Sequence, residues 1–248
     1  MGTVNELRHL HEFHKYLDGY RLSEIATARI ADLKLVLLVA PSSSGRNTII
    51  RELEKTGEFH FIVSDTTRQP RVNDGVLEEH GREYWFRTEE EVLDEVKNGE
   101  FLEAAVIHNQ QVSGISTREL DKAKRDNKIA ITDIEIIGAA NIYRAKPDTD
   151  VIFIVPPDFD TWINRLHQRG ELPEDEVRRR LESALEEFES ALQEPYYKFV
   201  INHHLEDSVA EVYEIAKFDK VDAEAQERGR AIVEKLLINT REYLSKKH

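Results

Sequence analysis

Residues 40–48, Ala-Pro-Ser-Ser-Ser-Gly-Arg-Asn-Thr, have the types and spacing to hold phosphate. They follow an apolar run at 35–39 and lead into Ile49-Ile50-Arg51-Glu52-Leu53, a helical pattern. A loop between a buried strand and a helix turns backbone N–H groups and a helix N-terminus toward anionic oxygens. Against the phosphate-loop pattern G-x-x-x-x-G-K-[S/T], only Gly45 is literal. Ala40 replaces the first glycine, Arg46 the lysine and Asn47 the magnesium-binding hydroxyl. Arginine keeps the positive charge on a longer, planar fork. Asn47 offers magnesium a neutral carbonyl oxygen, a weak ligand, and Thr48 still brings a hydroxyl to the loop. Ser42, Ser43, Ser44, Gly45, Arg46, Asn47 and Thr48 are thus candidates to bind ATP phosphates, and Arg46 also a candidate in catalysis. The competing reading is a Ser/Gly-rich turn with a serviceable helix cap.

A second candidate cluster is Ser64-Asp65-Thr66-Thr67-Arg68-Gln69-Pro70-Arg71. Two guanidinium groups three positions apart, beside a proline-stiffened turn, suit a phosphate dianion. At these residues the chain resembles the guanylate kinase family, whose signature is S-x-T-T-R-x-P-R followed by G-x-x-Y-x-F. The second segment here is Gly81-Arg82-Glu83-Tyr84-Trp85-Phe86. The resemblance continues through Asn98-Gly99-Glu100-Phe101-Leu102-Glu103, Asp133-Ile134-Glu135, Pro156-Pro157, Arg165-Leu166, Arg169-Gly170, Arg180-Leu181 and Val200-Ile201-Asn202. It spans roughly residues 34–217.

The resemblance implies a nucleoside monophosphate kinase that moves the γ-phosphoryl of ATP to GMP or a related nucleotide, with Mg²⁺ and ATP as co-substrate. Arg68, Arg71 and Tyr84, with Ser64, would hold the acceptor phosphate, and Glu103 would pair with the base. A carboxylate accepts both guanine N1–H and N2–H₂, a donor pair that adenine lacks. Asp133 and Glu135 fill the family's D-x-D pattern and would bind the acceptor nucleotide. Arg165, Arg169 and Arg180 would close over the ATP phosphates, and Asn202 would lie near the adenine. Arg178 and Arg179 read instead as ordinary i,i+4 partners of nearby glutamates. The family's Y-Y-G-T-S is Val112-Ser113-Gly114-Ile115-Ser116 here, so Ser113 stands for the phosphate-binding tyrosine and Ile115 for the base-reading hydroxyl. The turn at 72–80 is longer than usual for the family. These changes, with Arg46 and Asn47, point to reduced activity and leave open a non-catalytic module that grips a nucleotide or phosphorylated partner through its arginine clamp.

The elements that must position these groups follow from the hydrophobic pattern. Strands are expected at 35–39, 59–64, 128–134, 151–155 and 199–202, with helical patterns between them. Continuous apolar runs such as Val-Ile-Phe-Ile-Val mark strands buried on both faces. The fold class is therefore α/β, a parallel P-loop-type sheet covered by helices, with an inserted acceptor-binding subdomain at 65–117 and a helical lid at 158–193. Residues 1–33 and 219–248 read as helical extensions of a 34–218 core, and the extensions are candidate homo-oligomer contacts. The lid pattern breaks at 170–173.

A net charge of -14 over 248 residues disfavours nucleic acid and anionic membrane as partners, leaving small-molecule nucleotides. Cysteine is absent, so disulfides and thiolate metal sites are excluded. No apolar run nears the roughly 20 residues that cross a bilayer, and a cytoplasmic location is expected.

Overall fold

The computed structural model describes residues 6–73, 75–168 and 173–246. In chain order the elements begin α1 (Leu10–Leu17), α2 (Glu24–Ile30), β1 (Leu35–Val39), α3 (Arg46–Lys55), β2 (Phe59–Phe61), β3 (Asp65–Thr66), β4 (Val72–Asn73) and β5 (Val76–Leu77). Then follow β6 (Trp85–Phe86), α4 (Glu89–Lys97), β7 (Phe101–Ile107), β8 (Gln111–Ser116), α5 (Arg118–Arg125), β9 (Ile129–Asp133) and α6 (Ile136–Ala145). The last are β10 (Asp150–Val155), α7 (Phe159–Gln168), α8 (Glu174–Gln193), β11 (Tyr197–Ile201), α9 (Leu205–Phe218) and α10 (Ala223–Lys246).

The chain has an α/β fold with a parallel central sheet flanked by helices. The strand order is β11-β10-β1-β9-β2, and β10 runs parallel to both β1 and β11. Every residue of β1 and β10 is buried, as their unbroken apolar runs require. The chain divides into two compact units, one formed by 35–59, 131–139 and 148–248 and the other by 1–34, 60–130 and 140–147.

In the first of these units α10 packs on α8 and β11. A Cβ on Gly229 would overlap Phe199, so this glycine lets α10 lie close against β11. Trp162, Phe153 and Phe188 form a fully buried aromatic cluster, with the Trp162 and Phe188 rings 5.5 Å apart.

The other unit is built on the four-stranded sheet β6-β3-β8-β7. The expected strand 59–64 stops at Phe61, because after the buried Ile62 and Val63 the chain joins this second sheet at Asp65. The N-terminal helices pack here, with Phe13 and Leu17 buried among Val92, Val96 and Phe101. The Tyr20 hydroxyl donates to the Phe101 carbonyl at 2.7 Å, and burial pushes its pKa up to about 12. No helix among the described residues is long and apolar enough to cross a membrane.

Candidate functional site

The phosphate loop leaves the C-terminal end of β1 and enters α3 through Gly45, whose φ of 97° is open to glycine and strained for other residues. Ser43, at φ 68°, adds a second left-handed turn. The outward carbonyls of the loop are tied back. Trp162 Nε1 donates to the Ser42 carbonyl at 2.8 Å, and Asn202 Nδ2 donates to that of Ser44 at 2.7 Å. The hydroxyls of Ser43 and Ser44 are buried and have no hydrogen-bond partner among the described residues. Unpaired buried polar atoms are costly, and phosphate oxygens at the start of α3 would satisfy them.

Arg46 opens α3, and its Nη1 donates to the Ile134 carbonyl at 3.4 Å. That contact brings the first helical turn to the end of β9, where Asp133 is half-buried and Glu135 exposed. Asn47 and Thr48 are exposed on the same turn. The Asn47 amide oxygen is of the donor type magnesium takes. Among the described residues no three acidic or histidine side chains gather into a group that could hold a metal ion.

Glu187 on α8 is 9% exposed and feels Arg46, Glu135 and Glu186. Burial pushes its carboxyl up to about 8; Glu135 and Glu186 act in the same direction, and Arg46 opposes them. Its isolated position within a charged helix hid it from pattern reading.

Among the lid arginines, Arg180 pairs with Glu176 at 2.8 Å and also reaches Ser42 Oγ at 3.4 Å. Arg178 and Arg179 make helix-surface pairs, with Glu182 and with Asp175 and Glu176. Arg165 donates to the Asn202 carbonyl at 3.1 Å. Arg169 lies outside the described residues, as does Gly170 at the expected break. Asn202 is buried, its amide between the Ser44 carbonyl and the Ser208 hydroxyl. It braces the phosphate loop.

The acceptor cluster belongs to the other unit. Arg68 makes a two-pronged bond to Glu78, at 2.5 and 2.9 Å, and its guanidinium lies over Tyr84 at 4.8 Å and Phe86 at 5.5 Å. The pair holds the Arg68 charge firmly on, raising its pKa, with the Glu78 hydrogen bonds as the main cause. Arg71 is exposed, and its backbone N–H donates to the same Glu78 carboxylate at 2.8 Å. Ser64 is half-buried just before β3, its carbonyl accepting from Trp85 N–H at 2.9 Å. Glu78 could not be recognised from spacing, because it meets Arg68 across a turn.

On the adjoining strands Glu103 and Ile115 are direct cross-strand partners. Ile115 is fully buried, and strand alternation puts Ser116 on the opposite face, so Ser116 does not replace the missing hydroxyl. The Ser113 hydroxyl donates to Thr66 Oγ1 at 3.0 Å. Gly114 is required by close approach, since a Cβ there would overlap the Glu103 carbonyl.

A phosphate loop at the end of the central strand of a parallel, helix-flanked sheet defines a P-loop α/β protein. The guanylate kinase family profile matches residues 32–218. The guanylate kinase of Corynebacterium diphtheriae is 34% identical over 184 residues, spanning 73% of this chain and 93% of that protein. That of Thermotoga maritima is 32% identical over 188 residues, spanning 75% and 87%. The crystal structure of guanylate kinase from Anaplasma phagocytophilum shares the fold, with a TM-score of 0.55 at 21% identity over 87% of this chain and 95% of that one. The chain belongs to the guanylate kinase family.

Proposed function

We propose that the protein transfers the γ-phosphoryl group of Mg–ATP to GMP. The buried, unpaired hydroxyls of Ser43 and Ser44 at the start of α3 carry this reading, because they call for the phosphate oxygens of a donor nucleotide. An oxygen of the acceptor phosphate attacks the γ-phosphorus, that P–O bond forms, and the bond to the β–γ bridging oxygen breaks to release ADP. Positioning and charge neutralisation carry such a transfer, with no covalent enzyme intermediate. Arg46 and Arg180 would neutralise charge on the donor side, with Arg165 and Arg169 as further lid groups. Arg68, Arg71 and Tyr84, with Ser64 and Ser113 beside them, would hold the acceptor phosphate, and Glu103 would accept from the guanine N1–H and N2–H₂ edge. Asp133 and Glu135 would bind the acceptor nucleotide, and Asn47 would offer magnesium its amide oxygen. Asn47 is a weaker ligand than a carboxylate, and Arg46 lacks the compactness of lysine, so turnover should be low for the family.

A coupled ADP-release assay with GMP, dGMP, AMP, UMP and CMP tests the reading, and absence of turnover with all five would overturn it. The exchange of tyrosine for Ser113, whose hydroxyl is turned onto Thr66, favours a second reading as a non-catalytic module. Calorimetry separates the two: a kinase binds Mg–ATP as well as GMP, and a module retains little affinity for Mg–ATP. The extensions as homo-oligomer contacts are tested by light scattering, where a monomer mass with and without nucleotide would exclude that role.

A further inference from the structure

We propose that Glu78 is a positioning residue of the acceptor clamp: it fixes the Arg68 guanidinium so that the donors not bound to Glu78 and Gln69 are presented to the acceptor phosphate. The inference rests on the reading of Arg68 and Arg71 as that clamp. Arg68 spends Nη1–H and Nη2–H on the two Glu78 oxygens, at 2.5 and 2.9 Å. The other Nη1–H goes to the Gln69 carbonyl at 3.0 Å. A guanidinium carries five N–H donors, so among the described residues the Nε–H and the second Nη2–H remain for the Tyr84 side chain, with which Arg68 also hydrogen-bonds, and for an incoming anion. These two lie on one edge, the arrangement that suits phosphate oxygens. Tyr84 and Phe86 line the Arg68 guanidinium, which fixes its plane.

Glu78 is itself held. Its carboxylate accepts from the Arg71 N–H at 2.8 Å, and its own N–H donates to the Arg71 carbonyl at 2.9 Å. One acid therefore registers the Arg68 side chain against the Arg71 backbone. The alternative is a carboxylate that sits in the phosphate position and must leave. A displaceable group of that kind would be exposed and singly held, whereas the Glu78 side chain is 7% exposed and that of Arg68 12%.

The test compares the full chain with Glu78→Gln, which keeps the shape and removes the charge, and Glu78→Asp, which keeps the charge. Calorimetric Kd and steady-state KM for GMP should rise about tenfold or more in Glu78→Gln, while KM for Mg–ATP changes less than about twofold. Glu78→Asp should recover part of the loss. A Glu78→Gln chain that binds GMP as tightly as the wild type, or more tightly, overturns the proposal. In the wild-type chain, GMP should shift the Arg68 Nε–H resonance and leave the Glu78 carboxyl ¹³C resonance in place. Movement of the carboxyl signal would show a displaced plug and would overturn it even where a variant failed to fold. A wild-type chain that binds no GMP overturns the functional reading itself. Binding that survives Glu78→Gln overturns this inference alone.

Discussion

Asn202 holds the phosphate loop in place by donating its amide N–H to the Ser44 carbonyl at 2.7 Å, 158 positions earlier in the chain. The Ser208 hydroxyl donates to Asn202 Oδ1 at 3.1 Å and so fixes which way the amide points. With Trp162 on Ser42, two of the loop carbonyls are occupied by side-chain donors, while the Ser44 N–H donates back to the Pro41 carbonyl at 3.2 Å.

Gly45→Ala should therefore damage the donor site selectively. The new Cβ would overlap Asn202 Nδ2 and sit on a residue at φ 97°. Left-handed strain alone costs about 1 kcal/mol, and the overlap adds to it. The expected result is a loss of about 2–3 kcal/mol in unfolding free energy and a Mg–ATP Kd raised about tenfold or more, with GMP affinity unchanged. Denaturant unfolding and calorimetry with each nucleotide check it, and equal weakening of both nucleotides would contradict it.

Glu187 predicts a pH dependence. Its carboxyl ordinarily titrates near 4.5 and in the folded chain near 8, with burial the largest cause. Between these values the folded chain keeps a proton that the unfolded chain has released. Stability that is fully present below the ordinary value is thus lost as pH rises through about 8, and the loss amounts to several kcal/mol at most. Glu187→Gln removes the titration. Its Tm relative to wild type should climb from pH 5 to pH 9 and level off above that, and parallel Tm curves would refute the assignment.

The legible parts of the chain were those whose signal is local. The run 35–39 is buried throughout because only a central strand absorbs five consecutive apolar residues, and the loop after it follows in sequence. Arg68 and Arg71 were recognisable for the same reason. Glu78 was hidden because its ion pair spans a turn and has no periodicity. The amphipathic pattern near Phe13 and Leu17 says that a helix has a partner without naming α4 and β7 as that partner. Arg180 mixes both cases, since its pairing with Glu176 is a helix-surface signal and its reach to Ser42 is not.

Asp65, just before the clamp, is expected to set the stability of its unit. Its Oδ1 accepts from Arg87 at 3.2 Å and Arg118 at 2.6 Å, and both arginines also bind Glu95 Oε1, at 2.7 and 3.3 Å. The four side chains close an alternating ring around a carboxylate that is 1% exposed. Asp65→Ala leaves Arg87 short of a counter-charge in a poorly solvated place. Because Arg118 is 40% exposed and partly rescued by water, the expected cost is about 3 kcal/mol, the lower end for a broken buried pair. Thermal and urea unfolding measure it, and a cost under about 1 kcal/mol would mean that the ring is decorative.

On the proposed function, Ile115 is expected to affect how sharply the base is read. It pairs directly with Glu103 across β7 and β8, so the surface beside the carboxylate is apolar. On the proposed function, selection for GMP over AMP would rest on the N1–H and N2–H₂ donors that the Glu103 carboxylate accepts. Glu103→Gln should cut the GMP-to-AMP ratio of kcat/KM by about 100-fold, the scale of leaving a buried donor unpaired. Ile115→Thr keeps the β-branch that suits the strand and adds a hydroxyl. It should raise the ratio about threefold to tenfold, at a stability cost of about 1–2 kcal/mol for the lost apolar volume. The two effects are measured in one competition assay. If Ile115→Thr left the ratio unchanged while Glu103→Gln collapsed it, the base would be read by the carboxylate alone, with no further contact at position 115.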